Sequence, residues 1–328
     1  MPISLDSLAS SAALYPFALD VARDRVFLAP MDEAAYRAAS FLDERLKPRG
    51  EWADAASIER AMSGARDVRR LNFIFHAGHV GSTLLSRLLD EAGHVLALRE
   101  PLALRALADA FDAGQARADA RLELFLRLWE RGFTDTQCVI LKATSAAQRL
   151  AAKLLAARPQ ARAVMLNVTA ESYLATMLAG ENSAADLNAL GPERLHRLGR
   201  LLGAVPAQPR TLGELIAMSW AAERLTQASA VREAGGRILM VDFDAMLDSL
   251  VETLRLVLAH FGLAAQAERI AESAALSRYS KAPEHAYSPA LRRELLDQAR
   301  RDFGPEIRES LKWLEALKNA HPVAGAVL

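Results

Sequence analysis

Residues 73–91 read FIFHAGHVGSTLLSRLLDE, and this stretch decides the fold. Phe73-Ile74-Phe75 is an apolar run of strand character, and Leu84-Leu85-Ser86-Arg87-Leu88-Leu89 repeats apolar residues at helical spacing. Between them lies His76-Ala77-Gly78-His79-Val80-Gly81-Ser82-Thr83, which is small and polar. A strand, a glycine-containing turn and a helix in that order make a phosphate-binding loop. Gly78 and Gly81 let the backbone turn sharply and bring its N–H groups close to a ligand. Ser82 and Thr83 open the helix, where free N–H groups and the dipole attract phosphate, and their hydroxyls add two donors. A tight turn capped by Ser82 is the plainer use of the same residues.

The loop of nucleoside triphosphatases is GxxxxGK followed by Ser or Thr, with the lysine on the β- and γ-phosphates. Here Ser82 follows Gly81, so that lysine is missing, and no comparably specific acidic motif for magnesium occurs elsewhere. Hydrolysis of ATP or GTP is disfavoured.

Four further apolar runs interrupt an otherwise helical periodicity: HVLALRE (94–100), QCVILKA (137–143), ARAVMLNV (161–168) and GRILMVDFD (236–244). Near-continuous apolar strands alternating with helices predict a five-stranded, mainly parallel sheet covered on both faces, a three-layer α/β/α phosphate-loop fold. Residues 1–70 precede this alternation and are expected to form an N-terminal extension, a short strand or hairpin and an amphipathic helix packed on the core domain of 71–328. A Gly/Pro-punctuated helical insertion is expected at 181–215, one long helix over TLGELIAMSWAAERLTQASAVREAG, and two amphipathic helices parted near Gly304-Pro305.

Composition sets outer bounds. Apolar residues make up 52% of 328, enough for a large core, and Lys plus Arg balances Asp plus Glu at 40 each. No global field therefore favours nucleic acid or an anionic membrane, although a local basic pocket remains open. The single cysteine, Cys138, sits in an apolar run and is expected to be a buried spectator. The first twenty residues lack a basic start and a long apolar stretch, and no segment approaches the ~20 apolar residues of a membrane span. The expectation is a cytoplasmic protein.

HAGHVGSTLL resembles the first loop of the sulfotransferase family, roughly G-x-x-Arg/Lys-S-G-T-T-x-L, with Gly81, Ser82 and Thr83 in the G-T-T places. The resemblance runs in order through about residues 71–300. It implies a sulfuryl donor, 3′-phosphoadenosine 5′-phosphosulfate (PAPS), whose 5′-phosphosulfate is held by Gly78, His79, Gly81, Ser82 and Thr83, and an acceptor hydroxyl or amine. His79 stands where the family has Arg or Lys; a protonated imidazole supplies a donor and a positive charge there, and the resemblance implies that His79, with Lys142, stabilises charge as the phosphate leaves. No metal is expected, since cations and backbone donors around the leaving phosphate can stabilise it.

Sulfuryl transfer needs a base to take the acceptor proton. Glu100, before Pro101 at the carboxyl end of the second strand, is the candidate; the alternative is a carboxylate paired with Arg99 or capping the next helix. His76 and His94 are weaker candidates. Lys142 ends the third strand and resembles the family's lysine there; it either contacts the donor's oxygens or pairs with Glu100, and the two uses are compatible. The family's 3′-phosphate signature places Arg at the end of the fourth strand and Ser eight residues on. Here those places hold Val168 and Thr176. Thr176 can donate to a phosphate, Val168 cannot, and Lys142 or Arg278 could supply the missing cation; Arg162 is less suited because it opens that strand. Ile238–Leu247 followed by His260-Phe261-Gly262-Leu263 resembles the family's strand, helix and F-G-L segment. Ser277–Pro283 falls where the family has a lid-like loop, making Arg278 and Lys281 candidate donor contacts. The acceptor is expected against the 181–215 insertion and the N-terminal extension. A non-catalytic phosphate-loop binding protein and a small-molecule kinase with an unusual loop are the rival readings.

Overall fold

The computed structural model describes residues 3–64, 68–180, 183–279 and 282–328. Its core is the expected three-layer α/β/α arrangement. Strands β4 (Arg70–His76), β5 (Val95–Arg99), β6 (Cys138–Lys142), β7 (Ala163–Asn167) and β8 (Ile238–Asp242) form one sheet in the order β5-β6-β4-β7-β8, every neighbouring pair parallel. The first strand of the sheet is thus its centre, and the loop after β4 emerges at the middle of the carboxyl edge, where open α/β sheets bind ligands.

Alternation along the strands sorts two cores. Ile74, Ile140, Val164 and Leu166 point to a layer built from α3 (Ser82–Asp90), α7 (Ala170–Leu178), α8 (Ser183–Leu202), α9 (Leu212–Ala234), α11 (Leu250–Phe261), α12 (Ala267–Ala271), α13 (Pro289–Asp302) and α14 (Gly304–Ala320). Phe73, Phe75, Leu96, Val139, Leu141 and Met165 point to the other layer, made by α4 (Leu102–Asp112), α5 (Ala118–Trp129), α6 (Ala151–Ala157) and the N-terminal extension. A short helix, α10 (Phe243–Asp248), follows β8 directly. Cys138 is fully buried, its thiol pushed up by burial, with Asn72 donating to Sγ at 3.3 Å. Among the described residues, no helix is long and apolar enough to cross a membrane.

The extension is more elaborate than a hairpin and a helix. It holds an antiparallel sheet in the order β1 (Leu14–Asp20), β2 (Arg25–Pro30), β3 (Glu51–Asp54), with α1 (Glu33–Ala38) and α2 (Ala55–Ala61). The amphipathic helix expected there stops after six residues. Its last carbonyls are taken by a side chain from the core: Arg99 Nη1 donates to the carbonyls of Tyr36 (3.2 Å), Arg37 (3.4 Å) and Ala39 (3.0 Å). This charge ends the helix as a cationic cap, a role no local pattern could reveal.

The segment expected as an insertion is largely one helix, α8, lying beside α9. Its Arg194 and Arg197 turn inward, and both guanidinium groups bond the carboxylate of Glu223 on α9, which is fully buried. Gln148 donates to the same carboxylate at 2.7 Å. Burial pushes the Glu223 carboxyl up, but the charges of Arg197 and Arg194 outweigh it and hold it below its ordinary 4.5. Its contribution to stability is therefore present above pH 4.5 and lost as pH falls below the folded-state value. Replacing Glu223→Gln leaves the buried Arg194 without its counter-charge and Arg197 with Glu193 alone, and should cost about 3–5 kcal/mol in urea unfolding at pH 7. The wild-type advantage over the variant should shrink as pH falls below 4.5, and an advantage independent of acid would contradict the assignment.

Candidate active site

The loop expected to bind phosphate forms at the carboxyl end of β4 and runs into α3. Both of its glycines have positive φ, Gly78 at 94° and Gly81 at 72°. Gly81 is the N-cap of α3, and a side chain there would overlap the Phe243 ring, so both conformation and space demand glycine. Gly78 does something other than expected. Its N–H donates to Nδ1 of His76 at 3.1 Å, so this donor is spent inside the protein and not on a ligand. Tyr173 supports the loop from behind, its hydroxyl donating to the Ala77 carbonyl at 3.3 Å while burial pushes its own pKa up to about 12. Ser145, whose hydroxyl accepts from Arg194 at 3.3 Å, packs behind Gly78. The inward arginines of α8 thus brace the loop, whereas the described residues of that helix do not line the cleft.

The cleft in front of the loop is partly open to solvent. Its floor is the start of α3, where Ser82 and Thr83 are buried and the first N–H groups of the helix have no partner within it. Two buried polar atoms of the lining have no hydrogen-bond partner among the described residues: Thr83 Oγ1 and Arg292 Nη2. A hydroxyl and a guanidinium N–H left without acceptors on either side of one cleft fit an anionic ligand.

Four non-glycine residues among those described have positive φ, and two are in this cleft: His79 at 54° and Glu100 at 58°. Such a backbone costs on the order of 1–3 kcal/mol and persists only where its surroundings fix it. Glu100 keeps its N–H in the sheet, donating to the Lys142 carbonyl at 2.7 Å, and the left-handed turn then swings its carboxylate toward its neighbours. It forms an ion pair with Lys142, whose side chain is fully buried, and its Oε1 lies 3.8 Å from His76 Nε2. The pairing with Lys142 weighed from the sequence is therefore present. The one with Arg99 is not, since adjacent strand residues face opposite sides and Arg99 pairs with Asp90 of α3. His94 sits at the amino end of β5, bonded to the Asp135 carbonyl at 3.1 Å, and cannot reach the cleft.

The other expected residues divide. Thr176 lines the cleft, although its hydroxyl donates to the Ser172 carbonyl at 2.7 Å as part of α7. Val168 is buried and contributes no polar group, and its carbonyl accepts from Trp220 at 3.1 Å. Arg278 is exposed and does not line the cleft. Lys281 lies outside the described residues. The cation that does stand in the cleft is Arg292 on α13, which the sequence reading passed over. Its Nε bonds Asp244 at 2.9 Å and its guanidinium lies 4.8 Å from the Phe243 ring centre. It occurs within Leu291-Arg292-Arg293-Glu294, which reads as a solvated helix face; no local signal separates it from Arg293. The N-terminal extension reaches the Glu100 side, where Phe41 carries Arg45 on its ring at 3.4 Å and lies 5.9 Å from Lys142 Nζ. Among the described residues, no group of three or more His, Cys, Asp or Glu side chains is placed to hold a metal ion.

Because Gly81 is fixed by both φ and the Phe243 ring, Gly81→Ala should lower stability by at least ~1–2 kcal/mol from the backbone alone and weaken anion binding at least tenfold. Adding Phe243→Ala should recover the steric part of the stability loss and not the backbone part. A double-mutant cycle by thermal unfolding separates the two, and strict additivity would rule out the contact.

Among solved structures the chain is similar to the sulfotransferase domain from the curacin biosynthetic pathway, with 12% identity, coverage of 71% of this chain and 91% of that chain, and a TM-score of 0.39. It is also similar to the sulfotransferase domain from the Synechococcus PCC 7002 olefin synthase, with 14% identity, 72% and 89% coverage, and a TM-score of 0.39. No protein-family model and no curated protein sequence matches the chain.

Proposed function

We propose that the cleft binds PAPS and directs its sulfuryl group to an acceptor hydroxyl or amine. The observation that carries this reading is the convergence, in one cleft, of orphaned anion donors at Thr83 and Arg292 with the carboxylate of Glu100, which is paired with the buried Lys142. The likeness of the loop to the sulfotransferase motif adds the choice of donor.

When bound, PAPS supplies a sulfuryl group on a phosphate leaving group. The start of α3, with Ser82 and Thr83, holds the phosphosulfate end through N–H groups, hydroxyls and the helix dipole. His79, on its left-handed backbone, faces the same space. Lys142 stabilises negative charge as the phosphate leaves, its position fixed by Glu100. Glu100 takes the proton from the acceptor as the new oxygen–sulfur or nitrogen–sulfur bond forms. The N-terminal extension, through Phe41 and Arg45, borders the acceptor side.

Arg292 supplies the positive charge that Val168 lacks, and so holds the second phosphate of the donor. A charge-assisted hydrogen bond contributes about 1.5–3 kcal/mol, roughly ten- to a hundred-fold in affinity. Arg292→Gln should weaken 3′-phosphoadenosine 5′-phosphate (PAP) by that factor in calorimetric titration while changing AMP less than about threefold. Equal losses for both nucleotides would remove this assignment.

Calorimetry with PAP, ATP and GTP tests the donor. Binding of PAP alone supports the transferase, and saturable ATP binding that requires magnesium favours a kinase. Glu100→Gln should abolish sulfuryl transfer and keep PAP affinity within a few-fold; full activity in that variant would exclude Glu100 as the base.

A further inference from the structure

His76 is the last residue of β4, its side chain is almost wholly buried, and the mechanism above gives it no task. Its two ring nitrogens face the two halves of the site. Nδ1 accepts from the Gly78 N–H at 3.1 Å, inside the phosphate-binding loop. An acceptor at Nδ1 fixes the neutral tautomer that carries its proton on Nε2. Nε2 lies 3.8 Å from Oε1 of Glu100, the same oxygen that meets Lys142. The imidazole therefore stands between the loop that grips the anion and the carboxylate that accepts the proton.

We propose that His76 is a positioning residue that links the phosphate-binding loop to Glu100, holding Gly78 through Nδ1 and steering the carboxylate through Nε2–H. The proposal rests on the sulfuryl-transfer reading for what Glu100 does; the Gly78 half stands on the hydrogen bond alone. At 3.8 Å the Nε2–Oε1 contact is electrostatic and longer than a hydrogen bond. Contacts of this kind between catalytic groups tighten when the reacting groups are in place. Lys142 and His76 act on one carboxylate oxygen from two strands, β6 and β4, so the orientation of Glu100 is fixed by the sheet and does not depend on its own strained backbone alone.

Each link has a neutral side chain that imitates it. In His76→Asn the amide oxygen falls where Nδ1 was and can keep the Gly78 bond while the reach to Glu100 is lost. In His76→Gln the amide nitrogen falls near Nε2, keeping the contact to Glu100 and losing the loop. The readouts are PAP affinity by calorimetry, the Gly78 amide shift by NMR, and hydrolysis of PAPS at saturating donor. In that hydrolysis water is the acceptor: its oxygen bonds sulfur, its proton passes to Glu100, and PAP leaves with the electron pair of the broken sulfur–oxygen bond.

The expected result is a split. His76→Asn keeps PAP affinity within about threefold and the Gly78 amide shift, and hydrolysis falls at least about tenfold. His76→Gln weakens PAP at least about tenfold and moves the Gly78 amide, with the saturated rate within about threefold of wild type. Variants that lose affinity and rate in the same proportion would overturn the proposal and show a packing role only, as would variants that change neither. A wild type that binds PAP but does not turn PAPS over refutes both the transferase reading and the steering of Glu100. A wild type that does not bind PAP refutes the donor assignment, and the Gly78 amide then decides the loop link: an unmoved shift in His76→Gln overturns it.

Discussion

A buried guanidinium sets where this site can form. Arg99 is wholly inside the protein, paired with Asp90 at the end of α3 and donating to three carbonyls of the extension. Burial, and then the nearby charges of Arg87 and Arg37, push its pKa down to about 9, still high enough to keep it charged at neutral pH. An interior charge is costly unless it is paired, so Arg99 and the carboxylate and carbonyls it meets hold one another in place. One side chain thereby joins β5, α3 and the N-terminal extension. The backbone adds to this clamp, since Leu42 N–H donates to the Arg99 carbonyl at 2.7 Å and Leu102 N–H to the Leu42 carbonyl at 3.1 Å. Glu100 leaves the sheet from between these anchors, which is how its left-handed backbone can persist.

A second clamp works behind the loop. Glu223 gathers Arg194, Arg197 and Gln148 in the layer on the other side of the sheet, and Arg194 continues to Ser145 beneath Gly78. Phe243, just past the end of β8, closes on Gly81 from the front and carries Arg292 on its face. The cleft thus lies between elements that are each tied to something distant in the chain. Arg292 in the cleft is held by the carboxylate of Asp244, and Glu100 in the cleft is held by Lys142, buried behind it. Charges fixed in this way need little rearrangement when a ligand charge arrives, and that preorganisation is the main electrostatic resource of such sites.

The five strands were legible because a strand buried on both faces reads as an unbroken apolar run, and β4 through β7 are nearly that. The loop was legible because Gly81, Ser82 and Thr83 stand between an apolar run of strand character and a run of helical spacing. Lys142 with Glu100 could be anticipated, since two opposite charges at the ends of strands in an apolar setting must find each other. Arg292 could not, because a guanidinium in a charged helix looks the same whether it faces solvent or a cleft. The short α1 was misread for a similar reason: its terminator is a side chain sixty residues later in the chain.

The sequence by itself therefore determined the order of elements, the glycine turn that leads into α3 and the residue types at the strand ends, because periodicity, turn chemistry and the cost of burying charge all act locally or pairwise. Only the tertiary structure decided which donors of the loop remain available. It gave the Gly78 N–H to His76, set Phe243 against Gly81 and turned Arg292 inward. Those outcomes depend on the strand order β5-β6-β4-β7-β8 and on the packing of helices from opposite ends of the chain, which no stretch of residues encodes alone.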